Sequence, residues 1–239
     1  MLCPPVKSTL CLLILTSLFF ALALVPSPAG AQASEGEQET ALDRQVRAFL
    51  DSQERRWRDM NVPAVDGRKL YDIIVEHGYT RAVEIGTSTG HSGIWIAWAL
   101  SKTGGRLITI EIDERRHRQA VANFEAAGLS EYIDARLANA HELVPELEGS
   151  FDFVFSDADK DWYTQYFRWM LPKLEVGGCF TAHNVQQSSS SGRYGGRGRR
   201  GQPGTAEFVR ELLATEGLET TFFTRGGGLS VSFKKPPGR

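Results

Sequence analysis

Val83-Glu84-Ile85-Gly86-Thr87-Ser88-Thr89-Gly90 is the stretch on which the reading of this chain turns. A short apolar strand over residues 82–85 carries a glutamate and runs into Gly-x-x-x-Gly. An apolar helix follows from residue 91. The two glycines let the backbone turn tightly and come close to a ligand. The spacing is not the dinucleotide Gly-x-Gly-x-x-Gly, because position 88 is serine. No Gly-Lys-Ser/Thr follows, which excludes a P-loop. The Glu84 carboxylate would repel a pyrophosphate and suits an ammonium group. The loop therefore favours a cofactor that bears an amino acid, S-adenosylmethionine, over a purely structural glycine turn.

Strands and helices alternate on either side of this loop. Apolar positions at helical spacing predict helices over 41–59 (Leu42, Val46, Phe49, Leu50) and 65–77 (Leu70, Ile73, Ile74, His77). After the glycine loop come a helix over 91–100 and a strand over 107–110. Asp113 caps a helix that Gly128 closes. Further strands are expected over 132–137, 151–155 and 178–182. Helices are expected over 141–147 and over 160–174, the latter with Tyr163, Phe167, Met170 and Leu174 on one face. Repeated strand–helix units imply a parallel, doubly wound α/β sheet with helices on both faces. A helix over 205–215 precedes strands over 218–224 and 229–234, joined through Gly226-Gly227-Gly228, which makes an antiparallel hairpin. The expected fold is a seven-stranded, mostly parallel sheet with one antiparallel strand, a Rossmann-like methyltransferase variant rather than a dehydrogenase. Glu111, at the end of the second strand, can accept both hydroxyls of a ribose.

The ends and the overall charge narrow the class. The chain has 27 basic and 29 acidic side chains, so no global positive field exists to hold nucleic acid. Lys7 precedes an apolar run over 10–25, broken by Pro26 and Pro28 and followed by Ala29-Gly30-Ala31. This reads as a signal peptide over 1–31 and an exported protein, with no stable membrane insertion after cleavage. The alternative is an anchor through residues 10–25, although the run is shorter than the ~20 residues that span a bilayer. Cys3 and Cys11 would leave with the peptide, and Cys179 sits in an apolar strand as a core residue. Residues 32–59 are expected to form an acidic tail and a helix, and 60–239 a domain of the S-adenosylmethionine-dependent methyltransferase type. Within it, 186–204 is a Ser/Gly/Arg segment read as a flexible loop rather than an RNA-binding patch.

Several blocks together resemble the class I O-methyltransferases of the catechol and caffeoyl-CoA type. They are Met60-Asn61-Val62-Pro63, Glu84-Ile85-Gly86-x-x-x-Gly90-His91-Ser92, Ile110-Glu111-Ile112-Asp113, Asp157-Ala158-Asp159-Lys160-Asp161-x-Tyr163, and His183-Asn184. The resemblance implies that Val62, Glu84, Gly86, Ser92, Glu111, Ala140 and Asp159 border S-adenosylmethionine, with His141 beside the adenine. It also implies a divalent cation held by Asp157, by the residue at 183 and by Asn184, and a catalytic base at Lys160. Asp157, Asp159 and Asp161 flank that lysine, so a metal or a hydrophobic substrate is needed to strip its proton.

The sequence departs from the family at His183, where an aspartate is expected. Asp, His and Asn suit Mn²⁺, Fe²⁺, Co²⁺ or Zn²⁺ better than Mg²⁺. A second reading has no metal and His183 as the direct base. A third has His183 only ending a strand in a diverged, inactive protein. The function expected is methyl transfer to a hydroxyl of a small, catechol-like aromatic, with Trp162 and Tyr163 candidates for its walls. The alternatives are a non-catalytic or metal-independent S-adenosylmethionine-binding protein and a nucleotide-dependent oxidoreductase. Expected partners are the small aromatic and a second copy of the chain as a homodimer, with no nucleic acid.

Overall fold

The computed structural model describes residues 39–57, 60–186 and 205–236. The expected signal peptide and nearly all of the Ser/Gly/Arg segment lie outside the described residues. The elements in chain order are α1 (Ala41–Gln53), α2 (Ala64–His77), β1 (Arg81–Ile85), α3 (His91–Thr103), β2 (Arg106–Glu111), α4 (Glu114–Ala126) and β3 (Ile133–Leu137). There follow α5 (Ala140–Glu146), β4 (Phe151–Ser156), α6 (Tyr163–Met170), β5 (Leu174–His183), α7 (Thr205–Ala214), β6 (Leu218–Phe223) and β7 (Leu229–Lys234). The strands form one sheet in the order β3-β2-β1-β4-β5-β7-β6. β7 alone runs against the others, inserted antiparallel between β5 and β6.

Period-two alternation along the buried strands explains why both faces are covered. In β1, Ala82 joins one core with Leu70, Ile74, Ile94 and Trp98 from α2 and α3. Its neighbours Val83 and Ile85 join the opposite core with Val144, Tyr166, Phe167 and Phe208 from α5, α6 and α7. β4 alternates from Phe153 on, with Phe153 and Phe155 on the first face and Val154 on the second; Phe151, across an irregularity in the pairing with β5, joins the second core. Cys179 is fully buried within the first core.

Two helix boundaries differ from expectation. α1 ends at Gln53 rather than 59, because Glu54, Arg55 and Arg56 offer nothing apolar to bury. α6 begins after a single 3-10 turn over Lys160–Trp162 and stops at Met170. Pro172 lacks an amide donor and cannot extend it, so Leu174 opens β5 instead of lining the helix face. Among the described residues no helix is long and apolar enough to cross a membrane.

Candidate active site

β1 has β2 on one side and β4 on the other, so the connections leaving β1 and β4 diverge. Sheets of this kind open a crevice at that switch point, beyond the carboxyl ends of the strands. A cavity of about 810 Å³ lies there. Gly86 leaves β1 at φ +99°, and a Cβ on it would lie 2.8 Å from the Asp157 carbonyl oxygen. Only glycine fits where the loops after β1 and β4 touch.

One part of the cavity is organised by Glu111, at the end of β2. Its Oε2 accepts from the Ser88 amide at 2.7 Å. Its Oε1 accepts from the amides of Ile112 at 3.1 Å and Asp113 at 2.9 Å. Three backbone donors fix the carboxylate in place, and each oxygen retains capacity for a ligand hydroxyl. Gly86, Glu111, Ala140 and Asp159 all border the cavity. Asp159 accepts from the Tyr166 hydroxyl at 2.7 Å and meets His141 Nε2 at 3.0 Å. The His141 ring stacks on Trp162 with centroids 3.7 Å apart.

Three of the expected cofactor residues do not border the cavity. Val62 is buried, and its carbonyl accepts from His91 Nδ1 at 2.8 Å. Glu84 is fully buried. Its Oε2 accepts from Thr109 Oγ1 at 2.5 Å, and the Ser92 side chain also bonds it. Burial pushes the Glu84 carboxyl up to about 8, with the charges of Asp157 and Glu111 adding to the rise and the two hydroxyl bonds opposing it. Glu84 Oε1 is buried and has no hydrogen-bond partner among the described residues. Its carboxyl is a buried hub joining β1, β2 and α3. Trp162 and Tyr163 do not line the cavity either, and Tyr163 is wholly inside the second core.

The opposite end of the cavity carries the ionised groups. Asp157 follows β4 and is paired with Lys160, Nζ to Oδ1 at 2.6 Å; Lys160 Nζ also donates to the Tyr163 hydroxyl at 2.5 Å. His183, the last residue of β5, is 5% exposed and borders the cavity. Its Nδ1 lies 3.0 Å from Asp157 Oδ2 and its Nε2 3.1 Å from Asp66 Oδ2. A carboxylate at each ring nitrogen favours the doubly protonated imidazole. Burial works against that charge, but the bonds to Asp157 and Asp66 overcome it and push His183 up to about 9. Burial likewise opposes the Asp157 charge, and Lys160 and His183 overcome it, holding Asp157 below the usual carboxylate range.

This arrangement weighs against two expectations for His183. A protonated ring is not a general base at neutral pH. Nor does the donor set fit a divalent cation, because a ligating imidazole needs a bare nitrogen lone pair and both nitrogens are committed to carboxylates.

Asp66 is the site residue that sequence reasoning overlooked. It sits in the first turn of α2, fully buried. It falls four residues before Leu70, seven before Ile73 and eight before Ile74, on the apolar stripe of its helix. A carboxylate on a core-facing stripe signals a buried partner, and that periodicity was there to read.

Fold and site define a Rossmann-like protein with a switch-point cavity. The chain belongs to the O-methyltransferase family, whose model matches residues 32–234. It is 42% identical over 107 residues to a catechol O-methyltransferase of Niastella koreensis, covering 43% of this chain and 48% of that protein. It is 32% identical over 140 residues to caffeoyl-CoA O-methyltransferase 1 of Zea mays, covering 56% and 54%. The chain thus spans about half the length of the curated relatives it matches. An O-methyltransferase of Bacillus cereus, solved in complex with SAH, matches at TM-score 0.67 and 25% identity, over 81% of this chain and 91% of the other.

Proposed function

We propose that the protein transfers the methyl group of S-adenosylmethionine to a hydroxyl of a small, catechol-like aromatic. The observation that carries this reading is one cavity holding both a rigid carboxylate, Glu111, at one part and the Asp157–Lys160 pair at another. Glu111 takes the ribose hydroxyls, and His141, braced by Trp162 and Asp159, borders the adenine. The names of the relatives and the SAH-bound neighbour support the cofactor and the acceptor class.

The apolar acceptor, on binding, drives the Lys160 ammonium to release its proton to water, and the resulting amine takes the proton of the acceptor hydroxyl. The acceptor oxygen then forms a bond to the methyl carbon while the carbon–sulfur bond breaks. Its electron pair returns to sulfur, leaving the thioether. The Lys160 ammonium gives its proton to water before the next turnover. Asp157 orients the lysine throughout, and its second oxygen stays bonded to His183. Export of the protein remains part of the proposal, carried by the sequence of the first 31 residues.

The experiment is Lys160→Met with a catechol acceptor. General-base removal lowers kcat by about 10²- to 10⁴-fold and leaves affinity for S-adenosylhomocysteine within a few-fold of the parent. A variant with unchanged kcat contradicts the assignment.

A further inference from the structure

The row Asp66–His183–Asp157 has a part that the methyl transfer just described leaves unassigned. Asp66 comes from α2, His183 from the end of β5 and Asp157 from the loop after β4, so three separate elements converge on one imidazole. A fourth closes over it. In the turn between β6 and β7 the Gly227 amide donates to Asp66 Oδ2 at 2.7 Å, and a Cβ on Gly227 would collide with His183 Nε2. The triple-glycine turn therefore fits against this pair and would not accept a side chain there.

We infer that the chain supplies its own cation at this place: the His183 ring, clamped between Asp66 and Asp157, stands in for a divalent ion, and the acceptor end of the cavity is built to work without one. The inference deepens the proposed function and rests on it for the acceptor step. Its claim about metal binding stands independently.

Charge supports it. Two carboxylates, Asp66 and Asp157, face two cations, the His183 imidazolium and the Lys160 ammonium, within 3.1 Å contacts. A divalent ion would add two charges beside Lys160 and would have to expel the His183 proton to gain a ligand. Asp66 Oδ1 has no hydrogen-bond partner among the described residues, so the imidazolium and the Gly227 amide are the contacts that offset this buried carboxylate. At the cavity wall the imidazolium then stabilises an acceptor oxygen as it turns anionic, by fixed charge in a water-poor site. Asp66 is a positioning residue, acting through His183.

The test uses the full chain after treatment with chelator. Mn²⁺ alone is titrated and followed by electron paramagnetic resonance. Wild type should bind none up to about 1 mM, the weak end of protein sites for hard cations. His183→Asp should bind Mn²⁺ at least tenfold more tightly, because it restores an oxygen ligand and removes a positive charge. Nitrogen-15 spectra of the imidazoles give a reading independent of that variant's folding: the chain has five histidines, and His183 should show both nitrogens protonated at pH 7.5. Asp66→Asn should move it towards a neutral tautomer, which a merely space-filling aspartate would not do.

Mn²⁺ binding by wild type well below 1 mM, a neutral His183 in wild type, or methyl transfer that appears only when metal is added would each overturn the inference. Bound S-adenosylhomocysteine with no product, with or without metal, would count against the methyltransferase reading instead, and the Mn²⁺ titration would still decide this one.

Discussion

Glu111 and Glu84 are both carboxylates at the carboxyl ends of neighbouring strands, yet their surroundings give them opposite work. Glu111 is held by three amides and borders the cavity, so Glu111→Ala removes a charged acceptor from the ribose. The loss of such bonds costs about 1.5–3 kcal/mol, which is roughly ten- to a hundredfold in affinity for S-adenosylhomocysteine by calorimetry. An unchanged affinity would remove the assignment. Glu84 has no amide cradle and is buried until its carboxyl rises to about 8. The folded state therefore keeps a proton that the unfolded chain has released between about pH 4 and pH 8. Stability falls with rising pH across that window. Glu84→Gln does not titrate, so denaturant unfolding should show it gaining on wild type from pH 5 to pH 8. A difference independent of pH would contradict the buried acid. The sequence showed Glu111 as a candidate because it stands at a strand end, and the structure places it at the cavity wall. It did not show that Glu84 is sealed from the cavity, because the side of a strand on which a side chain is buried depends on what packs there. Asp66 and the state of His183 were hidden for a related reason: their chemistry is a contact across 117 positions of sequence.

Elements were more legible than contacts. All seven strands and their order of appearance follow from apolar periodicity and glycine punctuation, and the hairpin through Gly226 to Gly228 is where the triple glycine puts it. The spatial order, with β7 slotted between β5 and β6, does not follow from local pattern, because strand neighbours are chosen by long-range packing. The same limit applies to α1. Its apolar stripe was visible, but not its anchor to α3. Asp43 closes a capping box with Thr40 and accepts from Trp98 Nε1 at 2.6 Å and from Lys102 Nζ at 2.6 Å. Burial resists the Asp43 charge, and these bonds outweigh it, holding the carboxyl far below its usual range. Asp43→Ala leaves Lys102, Trp98 and the helix start unpaired, and should cost about 3 kcal/mol, as for breaking a buried pair. Since the folded value is the depressed one, that contribution is fully present above about pH 4, the unfolded carboxylate value, and fades as the pH drops towards the folded value. Chemical denaturation of both proteins at pH 7 and pH 3 measures it. Equal gaps at the two pH values would contradict the tie.

At the scale of the whole molecule, the sheet's topology does the positioning. Divergence of the chain at β1 and β4 opens the cavity, β2 brings Glu111 to one part of it, and β4 and β5 bring Asp157 and His183 to another. The two cores on either face fix these strand ends relative to each other, as a two-ligand reaction in line requires. The most direct measurement is product formation by the chelator-treated full chain, given S-adenosylmethionine labelled on its methyl group and a panel of catechols. A methyl ether and S-adenosylhomocysteine should form in equal amounts, with the label in the ether, at a rate that added Mg²⁺ or Mn²⁺ does not raise. Bound cofactor with no labelled ether from any acceptor would contradict the proposed methyl transfer.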